Sequence, residues 1–379
     1  MNRKTGELLE FIYGSDQADE ITIRLESLIA RRISRIKKPH NMKGGELALD
    51  QKDAFIIAGS YLFTKTGKSR LATLKDFISG EAAECISGVH ILPFFPDQKG
   101  VDPEMGDWED LSEILKSYKL MSGLIMDPAA AGLDFEDTDT ILKLIDAFLF
   151  YVQKGVQVIR LNGVNRILKD AEPDQQVAAH QNTRAHAIVK LFRSIVDEYV
   201  PWVVITTETS IPHEDNISFF GDNMDEAIMV SQFSLPPLVL DAFVRGTSSR
   251  LKSWTAELPH PGGKITFYNF LDPLGSIKML PVQDILSGDE KVKLSETVKE
   301  RGGSVSEKTD ALDINLCDAL AEDKLSNEQR AGKFLAAQSI IMSLPGVPGI
   351  NIQNLIGACG KTEIEYDSVI EDLRNPSSL

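Results

Sequence analysis

Short apolar runs recur along this chain, and their rhythm is the feature that most limits its fold. Each run is six to eight residues long, and amphipathic stretches such as HAIVKLFRSIVDEYV separate them. Runs without alternating polar residues are typical of parallel strands buried on both faces. Eight such strands in alternation with helices predict an α/β protein with a (β/α)8 barrel, or TIM barrel. The runs are AFIIAG (54–59), GVHILPFF (88–95), LMSGLIM (120–126), VQVIRLNG (156–163), WVVITTE (202–208), EAIMVSQF (226–233), KITFYNF (264–270) and VPGINIQ (347–353).

The stretches outside this rhythm define the expected organisation of the 379 residues. Residues 1–50 have apolar positions at helical spacing and predict an N-terminal helical segment. The barrel is expected to occupy 51–360. A polar stretch that is poor in aromatic residues, at about 281–327, interrupts it before the eighth run, and 361–379 form a short polar tail.

Charge and cysteine usage exclude several classes of protein. Lys and Arg number 40 against 56 Asp and Glu, a formal net charge of −16. Nucleic acids and anionic membranes are bound by basic surfaces, so we expect neither as a partner, while the oligomeric state stays open. Cys85, Cys317 and Cys359 lie far apart without a CxxC pair. We therefore expect buried, unreactive thiols without a disulfide framework, no metal, no cofactor and a cytoplasmic location.

Polar residues at the ends of two runs are candidates for chemistry, because barrel enzymes carry their catalytic residues at the C-terminal ends of the strands. The fourth run ends in RLNG, and a two-residue period places Arg160 and Asn162 on one face. The fifth run ends in Glu208. A carboxyl group beside an arginine and an amide is compatible with carbohydrate chemistry, in which two carboxyl groups flank the glycosidic bond.

Several longer motifs resemble the sucrose-phosphorylase branch of the α-amylase superfamily, glycoside hydrolase family 13. GVHILPFFP with VDPEMGDWEDL resembles the second strand of that family and the helix after it. YVQKGVQVIRLNGV resembles its fourth strand, TETSIPHEDNISFFGDNMDEAIMVSQFSLPPLVLDAF the stretch from the fifth strand onward, and SLPGVPGINIQNLIG the eighth. The resemblance covers roughly 50 to 360, almost the whole predicted barrel.

The resemblance implies a retaining mechanism with an Asp nucleophile on the fourth strand and a Glu acid/base on the fifth. Carried over by position, the acid/base is Glu208, and the arginine two residues before the nucleophile is Arg160. The nucleophile position holds Asn162, an amide. An amide is a poor nucleophile and lacks the negative charge that stabilises an oxocarbenium-like transition state.

Two further family motifs are altered. The strand-three motif, D-x-V-x-N-H in the family, begins at Gly123, loses its first Asp and its His, and has Asp127 at the Asn position. The Asp after strand seven is replaced within 273–276, although Asp272 precedes that position. The roof domain after strand three, domain B, and the C-terminal β-sandwich are expected to be reduced or absent.

Three functional hypotheses follow. The leading one is a catalytically degenerate pseudoenzyme of carbohydrate metabolism, retained for sugar binding, regulation or interaction. The second is an active retaining α-glucosyl phosphorylase or hydrolase, in which Glu208 works with a relocated carboxylate such as Asp127 or Asp272. The third is a structural or subunit-interaction protein. The expected ligand is a sugar or sugar phosphate, and a protein partner is the alternative.

Individual residues keep open roles at this stage. Glu208 is an acid/base, a sugar-binding carboxylate or the ion-pair partner of Arg160. Arg160 lacks the carboxylate that it pairs with in the family, so either Glu208 or a bound anion is expected to replace it. His213, in IPHEDN, occupies a family position for substrate binding, and a hydrogen bond that orders its loop is the alternative.

Overall fold

The computed structural model describes residues 2–38, 49, 52–60, 62–92, 108–167, 183–259, 265–272, 275–322, 324–357 and 363–374. The chain divides into two compact units. The first comprises Met1–Asp50, Ile91–Thr209 and Asp215–Ser231, and the second comprises Gln51–His90, Ser210–Glu214 and Gln232–Leu379.

Eight strands form a closed barrel in which neighbours in sequence are neighbours in the wall. Seven of the predicted runs contain a strand and the run at 120–126 overlaps one that begins at Lys119, so the predicted (β/α)8 barrel is confirmed. Residues 93–95 and 264 of those runs lie outside the described residues. The strands are β1 (Phe55–Gly59), β2 (Gly88–Leu92), β3 (Lys119–Ile125), β4 (Val158–Asn162), β5 (Val204–Glu208), β6 (Met229–Ser231), β7 (Thr266–Asn269) and β8 (Val347–Asn351).

Helices occupy most of the connections between these strands. Their bounds are α1 (Arg3–Tyr13), α2 (Ser15–Ile33), α3 (Arg70–Gly80), α4 (Trp108–Leu115), α5 (Pro128–Ala131), α6 (Thr138–Lys154), α7 (Thr183–Tyr199), α8 (His213–Ile217), α9 (Leu235–Arg245), α10 (Ser249–Glu257), α11 (Gly288–Glu300), α12 (Leu316–Leu320), α13 (Asn327–Ser343), α14 (Ile352–Leu355) and α15 (Tyr366–Arg374). Short 3-10 helices cover Val164–Arg166, Ser218–Phe220 and Leu280–Val282.

Helix α6 shows how local sequence sets these boundaries. The Asp137 side chain accepts a hydrogen bond from the backbone N–H of Asp139 and so caps the first turn. Gly155 follows the last turn at φ 101°, a left-handed conformation that favours glycine. Between these caps the helix is strongly apolar, and residues such as Ile141, Ile145 and Phe148 are fully buried in the core of the first unit.

In the first unit, α1 and α2 pack on α7 and α6 through apolar contacts with a polar margin. Leu9 and Leu25 are fully buried. At the margin, the Thr5 and Ser194 hydroxyls lie 3.0 Å apart. Arg32 donates two hydrogen bonds to the carboxylate of Asp146. The N-terminal helices are thus part of the core of this unit.

Chain segments that carry domain B in the family are short here. Only 126–137, which includes α5, separates β3 from α6. This confirms the expected reduction of domain B. After β8 the described elements are α14, the two-residue strand Ile364–Glu365 and α15.

The polar stretch of the second unit contains regular structure of its own. Its strands Ala311–Asp313 and Ser304–Ser306 form a three-stranded antiparallel sheet with Ser276–Lys278, which precedes the polar stretch. Helix α11 begins with a capping box, in which Ser287 and Glu290 each bond the backbone N–H of the other. Capping and pairing of the backbone thus order a segment that has few aromatic residues.

The cysteines differ from expectation. Cys85 is exposed and has a free thiol, so its predicted burial is wrong. Cys317 is disulfide-bonded, contrary to the expectation of unpaired thiols. Cys359 lies outside the described residues. Within the described ranges, no helix has the length and apolar character that crossing a bilayer requires.

Candidate active site

The predicted candidates Arg160, Asn162 and Glu208 lie together in the first unit. Strands β4 and β5 run parallel in a register that pairs Asn162 with Glu208 and Arg160 with Thr206. Side chains two residues apart along a strand share a face. Arg160 and Asn162, two residues apart on β4, therefore approach Glu208 from the adjacent strand.

Both oxygens of the Glu208 carboxylate are bound by neighbouring side chains. The Arg160 guanidinium donates through Nη1 to Oε2. The Asn162 amide donates through Nδ2 to Oε1 at 2.9 Å. The Arg160 and Glu208 side chains are only 12% and 21% exposed, so solvent screens this ion pair weakly. Glu208, one of the two partners considered for Arg160, is thus paired with it in the structure.

A glycine on β3 makes room for the guanidinium. A Cβ atom on Gly123 would lie 2.9 Å from Nε of Arg160 and 3.1 Å from its carbonyl oxygen. Nε itself is buried without a hydrogen-bond partner among the described residues. The family has an Asp at this position, and its replacement by glycine leaves the volume that Arg160 fills. The sequence shows the glycine, but not this consequence.

Asp127 follows β3 and lies beside the end of β4. A Cβ on Gly163, which has φ +73°, would be 2.9 Å from the Cβ of Asp127. The carboxylate of Asp127 caps α5, since Oδ1 accepts hydrogen bonds from the N–H groups of Ala129 and Ala130. Its other oxygen lies 3.4 Å from Nε of Arg166, a residue that the sequence analysis did not single out.

Backbone hydrogen bonds fix the loops beyond the strand ends. The N–H of Met126 donates to the carbonyl of Asn162 at 2.7 Å, and that of Gly163 donates to the carbonyl of Glu208 at 3.0 Å. These bonds extend the ladder one residue past β3 and one residue past β4. The three side chains of the site therefore stand on a rigid edge.

A buried polar chain holds the segment after Glu208, and sequence reasoning missed it. The Thr209 hydroxyl donates to Oδ1 of Asn216 at 2.7 Å, and Nδ2 of Asn216 donates to the carbonyl of Ser231 at 2.8 Å. All three residues are at most 2% exposed. The chain fixes the exit of β5 to the end of β6. The sequence signal for this polar chain was the pair Asn216 and Ile217 in the stretch HEDNI (213–217).

In the second unit, Asp272 serves the backbone. Its carboxylate accepts hydrogen bonds from the N–H of Gly275 and, at 3.0 Å, from the N–H of Leu316 at the start of α12. Burial raises the pKa of Asp272, while these two N–H donors and the side chain of Asn354 oppose the rise. Both oxygens are thus committed to holding the polar segment against the end of β7.

His213 in the same unit is a packed neutral histidine. Its ring contacts that of Trp254 edge to face, with centroids 5.4 Å apart. Nδ1 is buried without a hydrogen-bond partner among the described residues, so the structure does not contain the loop-ordering bond to this atom. Burial lowers the pKa of His213 to about 4. Among the residues that the structure describes, no group of three or more His, Cys, Asp or Glu residues is arranged to hold a metal ion.

Comparison with known proteins places this barrel in a class. A glucosylglycerate phosphorylase of Spirochaeta thermophila is 33% identical over 98% of this chain and 79% of its own length. A glucosylglycerate phosphorylase of Escherichia coli is 28% identical over 98% of this chain and 80% of its own. No family model matches the chain.

The structural comparison agrees with the fold. A sucrose 6F-phosphate phosphorylase from Thermoanaerobacter thermosaccharolyticum superposes with a TM-score of 0.62 at 15% identity, over 86% of this chain and 80% of that one. The fold and these relatives define an α-amylase-superfamily barrel of glycoside hydrolase family 13. Within that class, the chain belongs to the sucrose-phosphorylase-like family that includes the glucosylglycerate phosphorylases.

Proposed function

We propose that this chain is an active phosphorylase that cleaves an α-glucoside of the glucosylglycerate type with inorganic phosphate, and that Glu208 is its acid/base. The observation that carries the proposal is the 33% identity to a glucosylglycerate phosphorylase across 98% of the chain. This similarity favours the active-enzyme hypothesis over the pseudoenzyme hypothesis, because the relatives are named as phosphorylases.

The geometry around Glu208 supports a role in proton transfer. The carboxyl group stands at the end of β5, is partly exposed, and is oriented by Arg160 and Asn162. A general acid must deliver its proton to the oxygen of the departing group, so a fixed orientation reduces the entropic cost of the step. The hydrogen bonds of Asn216 hold the following segment in place.

The relocated carboxylate of the active-enzyme hypothesis finds little support in the two named candidates. Both oxygens of Asp272 accept backbone hydrogen bonds. Asp127 caps α5 and faces Arg166. A nucleophile of the retaining kind needs a carboxylate oxygen free to attack the sugar carbon. The proposed reaction therefore depends on Glu208 and on a nucleophile other than these two.

The test is phosphorolysis of glucosylglycerate by the purified chain, followed as release of glucose 1-phosphate. We expect turnover in the wild type and at least a roughly 100-fold loss in Glu208→Gln, because general acid catalysis typically contributes that much or more. Glu113→Gln is the matched control, since Glu113 is a half-exposed residue paired with Lys116. Absence of phosphorolysis in the wild type, or undiminished turnover in Glu208→Gln, would contradict the proposal.

A second candidate is sugar binding without turnover, and Asn162 is the observation that favours it. The amide occupies the nucleophile position and is spent on a hydrogen bond to Glu208. A thermal-shift series with glucosylglycerate, glucose and glycerate separates the two candidates, because a ligand that binds the native state raises its stability. A shift without any glucose 1-phosphate supports the binding role.

A further inference from the structure

The following inference rests on the proposed function, in which Glu208 is the acid/base. We propose that Thr209 and Asn216 are positioning residues for this carboxyl group, because their buried hydrogen bond fixes the end of β5 that carries it. Both residues are at most 2% exposed, so they lie out of reach of a substrate. They act through the backbone of Glu208, to which Thr209 is joined directly.

Backbone pairing holds the acid/base position on one side only. The last pair between β5 and β6 joins Thr207 to Val230, one residue before Glu208. On the other side, β4 and β5 stay paired as far as Asn162 and Glu208. The strand end that carries Glu208 therefore needs another link if it is to be fixed toward β6.

The amide of Asn216 provides that link. It stands in α8, and its Oδ1 accepts a hydrogen bond of 2.7 Å from the hydroxyl of Thr209. Its Nδ2 donates to the carbonyl oxygen of Ser231, the last residue of β6, at 2.8 Å. One side chain thus joins the residue after Glu208 to the end of β6, beyond the point where the backbone pairing stops.

The contacts that hold Glu208 are consequently divided between its side chain and its backbone. Arg160 and Asn162 bind the carboxylate oxygens, which a substrate must approach. The Gly163 N–H binds the carbonyl of Glu208 at 3.0 Å, and Asn216 binds the side chain of the next residue. The last two contacts involve no atom of the carboxylate, so they persist when a glucoside binds.

A hydroxyl and an amide suit this task for a chemical reason. The hydroxyl donates one hydrogen bond, and the amide accepts it through its oxygen while its nitrogen donates another. Buried polar groups are costly when they lose their partners, so the pair resists movements that would separate them. A displacement of about 1 Å at a catalytic group can lower a rate about 100-fold, and supporting residues prevent it.

Two substrates that differ in their need for a proton test the inference. Glucosylglycerate requires a general acid for its leaving oxygen, whereas α-glucosyl fluoride requires almost none, because hydrogen fluoride is a much stronger acid than an alcohol. We expect Thr209→Val, which removes the hydroxyl and keeps the shape, to lower kcat for phosphorolysis of glucosylglycerate about tenfold. The KM for glucosylglycerate and the turnover of α-glucosyl fluoride should stay within about twofold of the wild type.

Serine and alanine at the same position repeat the comparison in a smaller side chain. Thr209→Ser keeps the hydroxyl and should retain kcat to within about twofold, whereas Thr209→Ala should behave like Thr209→Val. Thr5→Val is the matched control in the first unit. The buried Thr5 hydroxyl lies 3.0 Å from that of Ser194, so the substitution also breaks a buried polar contact, but kcat should not change.

The outcomes separate this inference from the proposed function. Equal losses on the two substrates would indicate general damage to the fold and would overturn the inference. Full activity of Thr209→Val, or a loss in Thr209→Ser as large as in Thr209→Ala, would overturn it as well. Each of these results leaves the proposed function intact. An inactive wild type would refute the proposed function, and this inference with it.

Discussion

Arg160 on β4 and Glu208 on β5 form an ion pair between adjacent parallel strands, with both side chains largely shielded from solvent. In the family resemblance, the arginine serves a nucleophilic carboxylate on its own strand. Here the pairing has moved to the neighbouring strand. The same guanidinium thus neutralises the acid/base position.

Removing the cation alone should cost more than removing the pair. We expect Arg160→Met to lower the free energy of unfolding by about 2 kcal/mol, because it leaves the Glu208 carboxylate partly buried and uncompensated. Urea denaturation of Arg160→Met, Glu208→Gln and the double variant measures the coupling between the two side chains, which should lie within about 0.5–3 kcal/mol. Additive effects of the two substitutions would disprove the coupling.

Gly123→Ala tests whether the space beside Arg160 is required. The added methyl would stand 2.9 Å from Nε of Arg160, so we expect a loss of about 1–3 kcal/mol in stability. The matched control is Gly6→Ala in α1, where a Cβ meets nothing within 4 Å, and there the substitution should stabilise. Equal responses at the two glycines would show that the packing at Gly123 is not tight.

Asn162→Asp should destabilise the fold by charge repulsion. The new carboxylate would replace an amide that now donates to Oε1 of Glu208 at 2.9 Å, so two negative charges would meet. We expect the free energy of unfolding to fall by about 1–2 kcal/mol more than in Asn162→Ala, which loses the hydrogen bond without adding a charge. Urea denaturation of both variants measures the difference, and equal losses would contradict the repulsion.

His213 should contribute to acid sensitivity. Burial lowers the pKa of His213 in the folded protein to about 4 from an ordinary value of 6.5. Between pH 4 and 6.5 the His213 side chain therefore binds more protons in the unfolded chain than in the folded one. The contribution of His213 to the free energy of unfolding is therefore fully present above pH 6.5 and is lost as the pH falls toward 4. The total loss is about 3 kcal/mol at most. Denaturation of wild type and His213→Gln at pH 7.5 and 4.5 measures the difference. A variant with the same loss as the wild type would rule out this contribution.

Most of the barrel could be predicted from sequence because its signal is local and repeated. Each strand lies within an apolar run, apart from Lys119 at the start of β3, and the two-residue period placed Arg160 and Asn162 on one face. The family resemblance implies a carboxylate partner for Arg160 at the position that holds Asn162, and its absence left Glu208 or an anion as the expected partner. The placement on one face needed only periodicity, whereas the expected partner depended on the resemblance.

The remaining features depend on contacts distant in sequence. The three-stranded sheet of the second unit consists of short, polar strands. Their pairing could not be predicted from sequence, because the strands have no hydrophobic periodicity. The engagement of Asp272 by Leu316 joins residues 44 positions apart. Likewise, the absence of a side chain at Gly123 is important only because the Arg160 side chain of β4 occupies the space beside it.

The hydrogen bond from the Gly163 N–H to the Glu208 carbonyl has a consequence for the ageing of the protein. Asn-Gly sequences deamidate when the glycine nitrogen attacks the preceding side-chain amide, and asparagine is for this reason a thermolabile residue. Here that nitrogen is occupied, and the Asn162 amide is itself hydrogen-bonded. The side chain at the nucleophile position is thereby protected against spontaneous conversion to an acid.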